Sequence, residues 1–118
     1  MANNYRKIIH ELQRDKLKPL YFLHGTESYY IDSFADKIQE IAIPEYEKGF
    51  NEYVLYGKDV STGDVLNYAR KFPMMAEKQL VLVKEAQAIS DLGQKDAQGL
   101  MESYARNPLE STLLVLCF

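Results

Sequence analysis

The chain has 118 residues, 47% of them hydrophobic and 26% charged, with a formal net charge of −3. That length fits one domain around one core, the composition excludes disorder, and the acidic balance gives no electrostatic footprint for autonomous nucleic-acid binding. No apolar run approaches the roughly 20 residues of a membrane span, the charged start has no secretory h-region, and a single cysteine, Cys117, rules out a disulfide framework and suits a reducing, cytoplasmic setting.

Tyr5, Ile8, Ile9 and Leu12 recur at helical spacing, so an opening helix is predicted, ended by Lys18-Pro19. Leu20-Tyr21-Phe22-Leu23 is a continuous apolar run stopped by His24-Gly25, which reads as a strand in the middle of a covered parallel sheet. The next helix, residues 30–42, is predicted to present Tyr30, Phe34, Ile38 and Ile41 to the core, with Asp32, Asp36 and Glu40 on a solvated face. Residues 52–56 form a second strand rich in aromatic and branched side chains, ended by Gly57.

Ser61 stands three residues before Asp64, a capping-box start for a helix that buries Val65, Leu66 and Ala69 and stops before Pro73. A third strand follows at 79–83. A helix with the stripe Ala97, Leu100, Met101 and Tyr104 comes next and is broken at Asn107-Pro108. Residues 111–118 are a fourth buried strand. Alternation of helices with apolar strands predicts an α/β three-layer sandwich with a mostly parallel sheet. The chain stops on Phe118 at the edge of a buried strand, and the expectation is therefore a fragment of a longer protein.

In open α/β sheets ligands sit beyond the carboxyl ends of the strands. The loop after the first strand occupies the place of a phosphate-binding loop, whose pattern is a glycine, four residues, then Gly-Lys-Ser/Thr. Gly25 supplies the first glycine, but Tyr30, Ile31 and Asp32 stand where the last three should be. Tyrosine blocks close backbone approach, the cation is missing, and Asp32 would repel phosphate. The third strand ends in Lys84-Glu85 where a magnesium-binding acid pair would be needed, and lysine cannot ligate a cation. No Cys, second His or paired carboxylate is spaced in sequence to make His10 or His24 a ligand or base, and Cys117 has no basic neighbour in sequence to stabilise a thiolate. No catalytic residue, metal site or cofactor is predicted.

Phe72-Pro73-Met74-Met75-Ala76-Glu77-Lys78 is an apolar run in a connection that should be polar. It is either packed beneath the sheet or exposed for a partner, and on general grounds packing is the commoner case.

With the broken loop and this apolar turn in hand, the chain resembles the N-terminal domain of the delta subunit of bacterial DNA polymerase III, a clamp-loader subunit. The resemblance runs through residues 19–29, 72–84 and 112–116 and, with their spacing, covers nearly the whole chain. It implies a P-loop NTPase or AAA+-like fold over residues 1–118 that has lost its ATP site, so that ATPase activity is absent from a chain belonging to a DNA polymerase assembly. It further implies a lid and a helical collar beyond Phe118. In the family an adjacent pair of large apolar residues before the third strand enters a pocket on the sliding clamp. By position that pair is Met74 and Met75, flanked by Phe72 and Pro73, although the family often carries Leu or Phe there. The implied partners are the sliding clamp (the beta subunit) and the other clamp-loader subunits, with DNA reached through the full assembly only and no membrane contact.

Two other readings are compatible with the predicted elements. One is an active P-loop-type nucleotide-binding domain, which requires Gly25 to Ser33 to bind phosphate despite Tyr30 and Ile31. The other is a flavodoxin-like or receiver-like domain holding a small ligand at the sheet's switch point, although His24-Gly25 stands where a receiver needs clustered acids.

Overall fold

Runs of branched and long apolar side chains become four strands, and the amphipathic segments between them become the helices that cover those strands. The computed structural model describes residue 12 and residues 17–25, 28–73 and 76–118. Its elements are β1 (Leu20–Leu23), α1 (Ser28–Ala42), β2 (Glu52–Tyr56), α2 (Thr62–Ala69), β3 (Gln79–Lys84), α3 (Lys95–Arg106) and β4 (Thr112–Cys117). The strands form one sheet in the order β1-β4-β3-β2, and every neighbouring pair is parallel. The predicted opening helix lies outside the described residues, apart from Leu12, which packs against the core.

The central strands bury both faces, and their side chains alternate between two cores, as a parallel sheet covered on both sides requires. Leu80, Leu82, Leu113, Val115 and Cys117 face α1, where they meet Ile31, Phe34, Ala35, Ile38 and Ala42. Val81, Val83, Leu114 and Leu116 face the other way, onto Val65, Leu66 and Ala69 of α2 and Tyr104 of α3. The three-layer α/β sandwich expected from the alternation of elements is the observed architecture.

Three details differ from expectation. β1 is an edge strand, paired with β4 alone, and Phe22 within it is exposed. An apolar run reports side-chain environment and carries no information on which strands lie alongside it. The buried face of α1 is centred on Ile31, Phe34, Ala35, Ile38 and Ala42, while Tyr30 and Ile41 are half-buried. Alanines made this possible, because a small side chain lets the helix roll toward the sheet on a face that large residues alone do not mark. In α3, Ala97 and Tyr104 are buried but Leu100 is exposed.

The capping box at the start of α2 is present in full. Asp64 N–H donates to Ser61 Oγ, and Ser61 N–H donates to an Asp64 carboxylate oxygen. The same turn is tied to the connection before α3, since Thr62 donates through both its backbone N–H and its hydroxyl to Asp91 Oδ1, each at 2.9 Å. These two donations hold the Asp91 carboxyl below its usual pKa.

Candidate functional site: the two ends of the sheet

Because all four strands are parallel, their carboxyl ends lie along one edge of the sheet and their amino ends along the other. The first edge carries the loop that sequence marked as a broken phosphate site. The second carries the apolar turn.

At the carboxyl edge a cleft of about 540 Å³ is lined by Ser28, Asp32 and Asp36 of α1, Tyr56, Lys84, Glu85 and Cys117. Gly25 has φ 148, a conformation that only glycine adopts without strain. Ile31 stands where a phosphate-binding lysine would be, and it is 4% exposed and part of the core beneath α1. Tyr30 is half-buried with its ring edge-on to Tyr29, centroids 5.1 Å apart. Asp32 is exposed at the cleft, with Asp36 one turn further along the same helix. Of the four positions of the broken loop pattern, Ile31 and Asp32 both line this cleft.

Glu85, directly after β3, has φ 54, a left-handed conformation uncommon outside glycine. Its carboxylate accepts from Gln87 Nε2. Glu85's carbonyl comes so near Gly57 that a Cβ on Gly57 would lie 2.0 Å from its oxygen. The ends of β2 and β3 are thus packed backbone against backbone.

Cys117 lines the same cleft and is buried. Burial, first, and the nearby Asp32 and Asp36 carboxylates push its thiol up to about 11, with Lys84 acting in the opposite sense. A thiol held protonated in this way is not a nucleophile. Among the described residues no group of three or more His, Cys, Asp or Glu is placed to hold a metal ion, and no helix is long and apolar enough to cross a membrane.

At the amino edge, the chain leaves α2 through Arg70 and Lys71, passes Phe72 and Pro73, and re-enters the sheet at Gln79. Phe72 is 77% exposed, and Pro73 is half-buried. Met74 and Met75 lie outside the described residues. The two cations beside Phe72 fold back onto aromatic rings. Lys71 Nζ lies 4.5 Å from the Tyr68 ring centre and 5.5 Å from that of Tyr53, and Arg70 lies 5.9 Å from that of Tyr104. Such contacts are worth about 0.5–1 kcal/mol each at exposed sites.

Beneath this turn is a polar cluster that sequence reading missed. Gln79 and Thr112, the first residues of β3 and β4, stand opposite each other in register and are each 1% exposed. Gln79 Nε2 shares its two N–H donors among three acceptors, the carbonyls of Tyr68 (3.1 Å) and Lys71 (2.6 Å) and Thr112 Oγ1 (2.9 Å). Thr112 Oγ1 in turn donates to the Ala69 carbonyl at 2.6 Å. The last carbonyls of a helix have no partner within it. At the end of α2 the Leu66 carbonyl accepts from Arg70 N–H (2.9 Å) and the Tyr68 carbonyl from Lys71 N–H (3.2 Å), and side chains from two strands add to these at Tyr68 and supply the bond at Ala69. A polar residue at the first position of a strand looks, in sequence, like an ordinary solvated boundary, and nothing local distinguishes this pair.

Comparison with known proteins places this geometry. The family model for the DNA polymerase III delta subunit matches residues 21–118. DNA polymerase III subunit delta of Bacillus subtilis (strain 168) is 27% identical over 111 residues, which cover 89% of this chain and 31% of that protein. The solved structure of the Bacillus subtilis DNA clamp loader delta protein superposes with a TM-score of 0.77 at 25% identity, over 99% of this chain and 35% of its own. The chain thus spans about a third of the length of these relatives. Matched over nearly all of its described sheet and helices, the chain belongs to the DNA polymerase III delta-subunit family.

Proposed function

We propose that this chain is a non-catalytic clamp-loader domain that docks a sliding clamp through Phe72-Pro73-Met74-Met75 and helps to open it. One observation carries the reading: in a delta-subunit family member, a 77% exposed phenylalanine stands in the apolar turn at the amino edge of the sheet, where general packing rules would bury it. Burying one methionine is worth roughly 1.5–3 kcal/mol, so a Met74/Met75 pair with Phe72 beside it supplies much of a micromolar interaction, about 8 kcal/mol. Docking that favours a sprung form of the ring shifts the clamp toward opening by the difference in affinity for its two states.

The same reading assigns ATP binding and hydrolysis to other clamp-loader subunits. At this chain's carboxyl edge the sequence position of a phosphate-binding lysine holds buried Ile31, and the cleft presents Asp32, Asp36 and Glu85 against the cation Lys84, a net negative set that repels a triphosphate. DNA is contacted through the assembled loader.

Calorimetric titration with the cognate sliding clamp, and separately with ATP–magnesium, tests the proposal. Clamp binding that is lost in the double substitution Met74→Ala and Met75→Ala, with no ATP heat, is the expected result. ATP binding without clamp binding would overturn it in favour of an active nucleotide-binding domain.

A further inference from the structure

We infer that Gln79 and Thr112 are positioning residues for the partner-binding turn, an inference that rests on the clamp-docking reading above. The hydrogen bond from Gln79 Nε2 to the Lys71 carbonyl, eight residues back, closes the neck of the turn that carries Phe72 and Pro73. The same side chain grips the Tyr68 carbonyl, and through Thr112 the hold extends to that of Ala69. Gln79 is itself the residue on which the chain re-enters the sheet, hydrogen-bonded through its backbone N–H to the Ser111 carbonyl at 2.9 Å. One buried pair therefore fixes both the exit from α2 and the return into β3, relative to the rigid centre of the sheet.

Here the side chains of Gln79 and Thr112 together reach three carbonyls, those of Tyr68, Ala69 and Lys71, immediately before an exposed aromatic. A turn held in its docking geometry before the partner arrives loses less conformational freedom on binding. The two carbonyls and the hydroxyl around Nε2 also settle the orientation of the Gln79 amide, since its oxygen in that place would face lone pairs.

The experiment compares clamp affinity and amide hydrogen exchange in Gln79→Leu, Thr112→Val and Thr112→Ser, using the protein at its native length well below its melting temperature. Thr112→Val exchanges a hydroxyl for a methyl with little change of shape, and it decides the matter if Gln79→Leu does not fold. Either variant is expected to weaken clamp binding roughly tenfold and to speed exchange at the Lys71 amide, which donates to the Tyr68 carbonyl, by a similar factor, while Thr112→Ser, which keeps the hydroxyl, stays within about twofold of wild type.

A purely structural cap would lower the melting temperature and leave the clamp affinity of the folded protein unchanged. Wild-type affinity in folded Gln79→Leu and Thr112→Val, with the methionine substitutions still disruptive, overturns the positioning role alone. Methionine substitutions without effect overturn the docking reading and this inference with it.

Discussion

Replacing Phe72 with alanine should separate folding from docking. Phe72 is 77% exposed, so a side chain of this size leaves roughly 150 Å² open to solvent. At about 25 cal/mol per Å², full burial of that area against a partner would contribute a ceiling of about 4 kcal/mol. Half of it, the usual yield once ordering and imperfect fit are included, is about 2 kcal/mol, or roughly a 30-fold loss of clamp affinity for Phe72→Ala. The folded chain has far less to lose. The ring borders a shallow groove with Arg70, Tyr104 and Leu109, and removing it should cost within about 0.5–1 kcal/mol of stability, as for other exposed positions. Titration calorimetry against the clamp and thermal melting of the same preparations read the two quantities. A variant that melts normally and binds normally would refute Phe72 as a docking residue. A variant that unfolds would refute the claim that this ring is spare.

Two glycines give opposite signs for one substitution. Gly57→Ala brings a Cβ to 2.0 Å from the Glu85 carbonyl, which also accepts from the Ala88 N–H at 3.0 Å; over-packing and the strained bond should cost about 2–3 kcal/mol and lower the melting temperature by roughly 10 °C. Gly99→Ala, in the exposed middle of α3 with nothing within 4 Å, should stabilise by about 0.5–1 kcal/mol, and a melting curve for each checks both. Cys117 should resist thiol reagents in the folded chain and react on unfolding. Its thiol is raised from 9.0 to about 11 by burial, so the stability tied to its protonated form is whole below pH 9 and is lost as pH rises from 9 toward 11. The difference in unfolding free energy between wild type and Cys117→Ala should therefore shrink over that interval, and a difference constant with pH would refute the burial argument.

How far the sequence reveals the molecule depends on the range over which each feature is determined. β1 and β2 are legible to the residue, and so is the Ser61–Asp64 cap, because apolar runs and capping chemistry are fixed by neighbours a few positions apart. The edge position of β1 is not legible, since strand order is decided by crossovers between distant segments. The roll of α1 onto Ala35 and Ala42 escapes a reading weighted toward large side chains. At the candidate site, that Tyr30, Ile31 and Asp32 do not match the phosphate-loop pattern is legible in the sequence. That Ile31 is drawn into the core is a tertiary fact. Phe72 is ambiguous in sequence, because the same apolar turn could be buried or displayed. Gln79 and Thr112 are invisible there, as 43 residues separate Ala69 from its hydrogen-bond partner Thr112.

The placement of these features bears on how the two ends of one strand can differ independently. The partner turn and the cleft are set at opposite ends of β3, whose six residues span about 17 Å from the first Cα to the last. Between them lie Leu80, Val81, Leu82 and Val83, each fully buried, so the strand behaves as a packed rod whose two ends share no side chains. Side chains at the carboxyl edge, such as the carboxylates of Asp32 and Asp36 at the cleft, can change without disturbing the interdigitated centre. The amino edge asks the sheet only for a fixed base, and Gln79 and Thr112 tie the turn to the two central strands, β3 and β4, which bury both faces. On the proposed reading, force delivered to a clamp through Phe72, Met74 and Met75 passes into those two strands. Weakening the Gln79–Thr112 tie would let the turn yield before the sheet does, and so reduce clamp opening more than clamp affinity.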